Sequence, residues 1–405
     1  MVFALTHKKT KNVMLTQIIN GHILTPQGWL KDGSVLISDG KILEITNSDL
    51  AIIGATVIDA KGMYIVPGFV SMHCHGGGGH DFTEGTDEAF REAAQAHLLH
   101  GSTTIFPTLA STTFDNIRRA ADTCERLMGE EGSTICGLHV EGPYLSERMA
   151  GLQWKEYLKN PDPDEYRPLV ESTRCIKRWD ISPELPGAHD FARYITSKGI
   201  LAAITHTEAE YKEIKEAFAV GFTHAAHFYN AMPGFHKRRE YKYEGTVESV
   251  YLMDDMSVEI IADGVHLPAT ILKLVYKLKG VEKTCLVTDS LKYAGYTGGP
   301  IDDPNLVIED GVCKLADHQT IAGSISTADT LVRTMVKKAG IPLDDAVRMA
   351  SETPARIIGI DDRKGTLERG KDADIVVLDS EVNVRCVFSK GKEVEGTNTM
   401  IHTNI

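Results

Sequence analysis

A glutamate and two histidines, Glu141 in HVEGPYL, His206 in THTEA and His227 in HFYNAM, each follow an apolar run and have the chemistry to share a divalent cation. One carboxylate and two imidazoles form a donor set that Zn²⁺ or Fe²⁺ accepts while leaving a coordination position for water. Taken singly, each has an ordinary alternative: Glu141 as a solvated loop residue, His206 and His227 as structural histidines, with His224 three positions upstream of His227 as a decoy. Delivered one at a time by successive strand ends, they point to a metal centre. His73 and His75 in FVSMHCHGGGG add a second signal, since alternate strand residues face one way and a His-x-His pair sends both imidazoles to one ion. With both sets filled the centre holds two ions per subunit, and with His73 and His75 idle it holds one. Asp289, which ends CLVTD, is placed to carry the proton of a metal-activated water, with a helix cap as its alternative role. His266 in IADGVHLP belongs to the same mouth and suits substrate holding.

Such residues meet only if their strands run side by side. Over 67–358 the chain alternates strand, loop and amphipathic helix: DEAFREAAQAHLLHG then STTIFPTLAS, the strands of TICGLHVEGPYL and RWDISPEL, and HDFARYITSKG stopped by Gly199 before ILAAITHTEA. EYKEIKEAFAVG leads to FTHAAHFYNAM, SVEIIADGVHLP follows, and ATILKLVYKLKG precedes KTCLVTDSL. Every polar residue of interest sits at the C-terminal end of its strand, which predicts an α/β fold, a (β/α)8 TIM-like barrel with one shared mouth. On either side the texture changes to short β runs with Asn-Gly, Asp-Gly and Lys-Gly turns. Segments 1–66 and 359–405 are therefore expected to build one small β-sandwich domain from both termini, flanking the barrel at 67–358.

Bulk properties narrow the partners. The 405 residues are 42% hydrophobic and 24% charged, with a net charge of -13 and no dense Lys/Arg cluster, which argues against nucleic acid but not against one anionic small molecule. No membrane segment appears, and the opening MVFALTHKKTKN has no apolar run long enough for a signal peptide, so it reads as an extended N-terminus. Seven scattered cysteines without CxxC favour reduced thiols and a cytoplasmic location.

PGFVSMHCHGG, HVEGPYL, THTEA, HFYNAM, IADGVHLP, LVTDS, TIAGSISTADTLVRTM and SETPARIIGIDDRKGTLERGKDADIVVLD together resemble the amidohydrolase superfamily and, within it, the N-acetylglucosamine-6-phosphate deacetylases, over about 20–394. The resemblance implies a metal held by Glu141, His206 and His227, a second one available to His73 and His75, and Asp289 as catalytic residue. It implies substrate contacts at Asn230 and Ala231, at His266, around Ile321, Ala322 and Gly323, and at Leu152 and Gln153, where relatives place a His or Gln. Arg239 is the better match to the family's phosphate-binding Arg and Arg238 the next. The substrate would be a phosphorylated N-acetyl amino sugar and the assembly a homodimer or homotetramer in the cytoplasm, a partner subunit being able to complete the phosphate pocket. The galacto epimer as substrate, or a cyclic amide hydrolysed by another amidohydrolase, are the alternatives; many of the latter use a modified Lys where this chain has Glu141.

Overall fold

The computed structural model describes residues 15–47, 52–296, 301, 303–318, 321–397 and 402–404. The segment read as an extended N-terminus lies outside them. Eight strands, β1 (Phe69–Cys74), β2 (Ser102–Leu109), β3 (Leu138–Glu141), β4 (Ile176–Ile181), β5 (Leu201–Ile204), β6 (Phe222–Ala225), β7 (Ser257–Ile261) and β8 (Thr284–Val287), pair in chain order as one parallel sheet. The seam between β8 and β1 is bridged by backbone bonds from Asp289 N–H to the His73 carbonyl at 3.0 Å and from His75 N–H to the Ser290 carbonyl at 2.9 Å. Strands covered on both faces need near-continuous apolar runs, and β2, β7 and β8 are buried at every position.

A helix follows each strand. Asp87–Leu99 starts where the Thr86 hydroxyl accepts the Ala89 N–H, and Phe114–Met128 where Thr113 does the same for Asn116. In the latter, Ile117, Ala120, Ala121, Cys124 and Leu127 bury one stripe at helical spacing against the barrel. After β8 the chain first makes a three-stranded antiparallel flap, Leu306–Glu309, Val312–Leu315 and Ile321–Ser324, whose last strand bridges Ser290 through Ser324.

Both ends of the chain share one nine-stranded sheet. Tyr64–Pro67 pairs antiparallel with Ile375–Leu378 on one side and parallel with Leu15–Thr25 on the other, so the strand that feeds β1 is clamped between the two terminal segments. Ile18, Ile37, Ile65, Ile375, Val377 and Phe388 make its separate core, each such side chain contributing roughly 1.5–3 kcal/mol on burial. A Cβ at Gly21 would fall 2.2 Å from Ile65 Cδ1, so a larger residue there displaces that core side chain.

His97 ties the first barrel helix to the mouth: its Nε2–H donates to the Gly76 carbonyl at 2.9 Å, and burial pushes its pKa down to about 4 against that hydrogen bond. The unfolded chain takes up a proton near pH 6.5 that folded His97 refuses until about pH 4, so its contribution is complete above pH 6.5 and is lost as the pH falls through that window. Replacing His97 with Gln should flatten the fall in unfolding free energy between pH 6 and 4.5, by up to about 1.4 kcal/mol per pH unit, measured by urea melts; an unchanged slope would show that His97 does not carry it.

Candidate metal centre

The mouth is built by a repeated turn. His206, His227 and Asp289 each stand two residues beyond the end of β5, β6 and β8, and each has a positive φ, of 42°, 26° and 43°. Left-handed backbone at non-glycine residues is uphill and persists where the surroundings hold it, typically at functional sites. Glu141 is the last residue of β3, followed by Gly142-Pro143, and a Cβ on Gly142 would lie 2.3 Å from Ser111 Oγ. His73 lies within β1, and His75 stands just past it.

These side chains converge on Glu141, which is 2% exposed. Its Oε1 lies 3.1 Å from His227 Nε2, 3.4 Å from His206 Nε2 and 3.8 Å from His73 Nε2, while Oε2 lies 3.3 Å from His75 Nε2. Asp289 Oδ1 is 3.3 Å from Nε2 of both His73 and His75. The opposite ring nitrogens are spoken for: His206 Nδ1 donates to the Met149 carbonyl at 2.6 Å, His227 Nδ1 to the Asn230 carbonyl at 3.1 Å, and His73 Nδ1 to Glu259 Oε1 at 2.5 Å. Held through Nδ1, these three rings turn Nε2 toward the shared carboxylate, where the same nitrogens can either bond it or serve a divalent ion. Two donor groups satisfy it, Glu141 with His206 and His227, and Glu141 with His73 and His75, their ligand atoms within 4.8 Å of one another. The third grouping of this kind, His73 with His139 and Asp180, already has a cation, since Arg178 pairs with Asp180 through Nε and Nη2.

Burial works to raise the pKa of Glu141, but the bonds from His206, His227 and His75 overturn it and hold the carboxyl well below its usual range. Asp289 is likewise held low, with burial outweighed by the charges of His73, His75 and His227 and the hydrogen bond from His75. His227 is raised to about 9 and His75 well above its usual value: burial opposes both, and their carboxylate partners win. The two carboxylates thus favour positive charge at this mouth, which a divalent ion would supply.

Other residues singled out from the sequence fall in three places. Gln153 joins the cluster, its Nε2 donating to Glu141 Oε2 at 2.6 Å and its Oε1 accepting the Ser111 N–H at 2.8 Å, whereas the neighbouring Leu152 is 46% exposed. Asn230 and Ala231 form the turn under His227 and His206, with the Ala231 carbonyl accepting Thr207 N–H, and Ile321, Ala322 and Gly323 lie in the flap strand beside the Asp289 segment. His266 is set by Asp263, which is 2.6 Å from its Nδ1 and also accepts its backbone N–H. Arg238 and Arg239 are not in the cluster. Arg238 ends the first strand of a hairpin, His236–Arg238 with Tyr241–Tyr243, where it pairs with Glu210 and lies 4.0 Å over the Tyr243 ring, and Arg239 occupies the turn with φ 56°. The decoy His224 bonds Ser257 and Glu259, away from Glu141.

Sequence reading missed the layer beneath: Arg178, Asp180, Glu259 and His139, all fully buried. Their signal was available, as charged residues inside otherwise apolar strands, with Arg178 and Asp180 two apart and so on one face.

Known proteins place this geometry. The model of the amidohydrolase family matches residues 64–394, and the chain belongs to that family. Within it, the chain is 32% identical over 382 residues to N-acetylglucosamine-6-phosphate deacetylase of Haemophilus influenzae, covering 93% of this chain and 98% of that protein. It is 29% identical to N-acetylgalactosamine-6-phosphate deacetylase of Escherichia coli O157:H7, covering 91% and 97%. The crystal structure of N-acetylglucosamine-6-phosphate deacetylase from Pasteurella multocida superposes with a TM-score of 0.88 at 27% identity, covering 94% of this chain and all of the other.

Replacing Glu141 with Gln should weaken zinc binding at least about 10-fold, as a lost ligand costs no less than a lost supporting hydrogen bond; chelator competition checks this, and wild-type affinity would remove Glu141 from the ligand set.

Proposed function

We propose that this protein removes the N-acetyl group of N-acetylglucosamine 6-phosphate to give glucosamine 6-phosphate and acetate, with Glu141, His206 and His227 holding one divalent ion, His73 and His75 able to share a second, and Asp289 as the catalytic residue. The observation that carries this reading is Asp289 Oδ1 standing 3.3 Å from both first-strand imidazoles, against the donor cluster, in a chain similar along most of its length to deacetylases of that substrate. A Zn²⁺ or Fe²⁺ ion bound there supplies a Lewis acid and a water of lowered pKa. Asp289, ionised and with a side chain 20% exposed to the mouth, takes the proton of the attacking water and passes it to the amide nitrogen, so that the C–N bond breaks to an amine and acetate. Asp263 fixes the His266 ring by its Nδ1, which leaves Nε2 for a sugar or phosphate oxygen. Asn230, Ala231, Leu152, Gln153, Ile321, Ala322 and Gly323 are the remaining substrate positions of this reading. Gln153 serves it chiefly by holding Glu141 Oε2.

The phosphate ligand in this reading is Arg239, with Arg238 second. Arg238 is committed to Glu210, and Arg239 has no ion-pair partner among the described residues. A homodimer or homotetramer that brings this hairpin to a neighbouring mouth would complete the pocket. Seven buried, unpaired cysteines support a cytoplasmic setting, and no helix among the described residues is long and apolar enough to cross a membrane.

The second reading, the same deacetylation of N-acetylgalactosamine 6-phosphate, is favoured by the similarity to the E. coli enzyme named for it and differs at one hydroxyl. Acetate release from the two sugar phosphates decides between them: higher kcat/KM on the gluco substrate is expected, and the reverse order would replace the first reading by the second. Asp289→Asn should lower kcat by about 10²–10⁴-fold with metal content by elemental analysis unchanged; near-normal turnover would remove Asp289 from its role.

A further inference from the structure

Under the donor cluster, Glu259 on β7 is the hub of a fully buried charged layer that none of the roles above uses. Its Oε1 accepts the His73 Nδ1–H at 2.5 Å and also the backbone N–H of His227 at 3.0 Å. Arg178 grips it from the far side, Nη1 to Oε2 at 2.5 Å and Nη2 to Oε1 at 3.1 Å, and is itself held by Asp180 on its own strand and by the Met72 carbonyl beside His73. His224 Nε2 lies 3.3 Å from Oε2. A single carboxylate oxygen therefore touches one residue from each half of the donor cluster.

The four histidines differ in this respect. His206 and His227 lean on neutral backbone carbonyls, and His75 Nδ1 is buried with no hydrogen-bond partner. His73 alone among them is backed by a charged acceptor, the arrangement that fixes which ring nitrogen faces a metal and makes that nitrogen a stronger donor. A carboxylate at this depth costs several kcal/mol to desolvate, which a merely structural position in a barrel interior filled with branched aliphatic residues would avoid.

We infer that Glu259 is a positioning residue: it sets the His73 ring as an Nε2 donor, with Arg178 as its anchor, while its bond to the His227 N–H adds to a turn that Asn230 already holds through the His227 carbonyl. This rests on the reading of His73 as a metal ligand. The layer is needed most where the neighbouring ligand has least support, and that is the His73 and His75 half.

The test is zinc binding and histidine NMR on the full chain, comparing wild type with Glu259→Gln and Glu259→Asp. Gln keeps the length but leaves Arg178 facing a neutral amide, which endangers folding. Asp keeps the charge that Arg178 needs and withdraws the oxygens by about 1.5 Å, out of reach of His73. In whichever variant retains the wild-type circular dichroism without zinc, the weaker class of zinc sites should lose about 10–100-fold in affinity and the tighter class less than threefold. In the zinc-free protein labelled with ¹⁵N-histidine, the far-downfield Nδ1–H proton, assigned to His73 by its loss in His73→Asn, should move upfield in the same variant. Unchanged zinc affinity together with an unmoved proton overturns the inference, as does an equal loss from both classes. Unchanged zinc binding in His73→Asn overturns the ligand reading instead, and the proton shift alone then decides whether Glu259 positions that ring.

Discussion

A buried carboxylate at the end of β3 sets the terms for the rest of the structure. Glu141 is almost wholly buried, and burial alone would drive it to its neutral form. It stays charged because imidazoles from the end of β1, from the turn after β5 and from the turn after β6 close around its two oxygens. That demand explains the left-handed turns at His206 and His227, which strain the backbone to aim rings inward, and it explains why the barrel must close through His73, Asp289 and Ser290 rather than leave β1 and β8 as edges. The mouth is a container for positive charge, and protons or a metal ion can both fill it.

Below it the barrel does something costly. Arg178 lies with Asp180 and Glu259 at zero exposure, and its guanidinium is pushed further up than usual because the two carboxylates outweigh burial. Such an arrangement gains little net stability over a well-packed apolar interior, yet removing one partner leaves a stranded charge worth about 3–5 kcal/mol. Its value lies in geometry: Arg178 ties Asp180, Glu259 and the Met72 carbonyl together beneath the donor cluster. The terminal sheet contributes at longer range by clamping Tyr64–Pro67, the strand that delivers His73.

The legible part of this architecture followed from periodicity and placement. Glu141, His206, His227 and Asp289 could be picked out because each ends an apolar run that had to be a strand, and the same logic gave the eight βα units and a small β domain built from both ends of the chain, whose strands form one nine-stranded sheet. Less legible were contacts that depend on how strands are rotated about the barrel. Arg178 and Glu259 come from segments 81 residues apart and meet only because β4 and β7 face one another across the interior. Gln153 was read as a substrate contact from its position in the family pattern, and its bond to Glu141 depends on a loop whose path no local rule specifies. Arg239 and Arg238 match the family's phosphate ligand by local sequence alone, and the structure sets them on a hairpin apart from the cluster, with Arg238 paired to Glu210 and Arg239 in a turn of positive φ.

The central claim is that Glu141 is the shared ligand of a metal centre built from separate strand ends. Anomalous diffraction at the zinc edge from crystals grown with zinc tests it directly. The expected result is a peak about 2.0–2.2 Å from Nε2 of His206, Nε2 of His227 and an oxygen of Glu141; zinc bound without Glu141, or found only away from these three residues, would contradict the account.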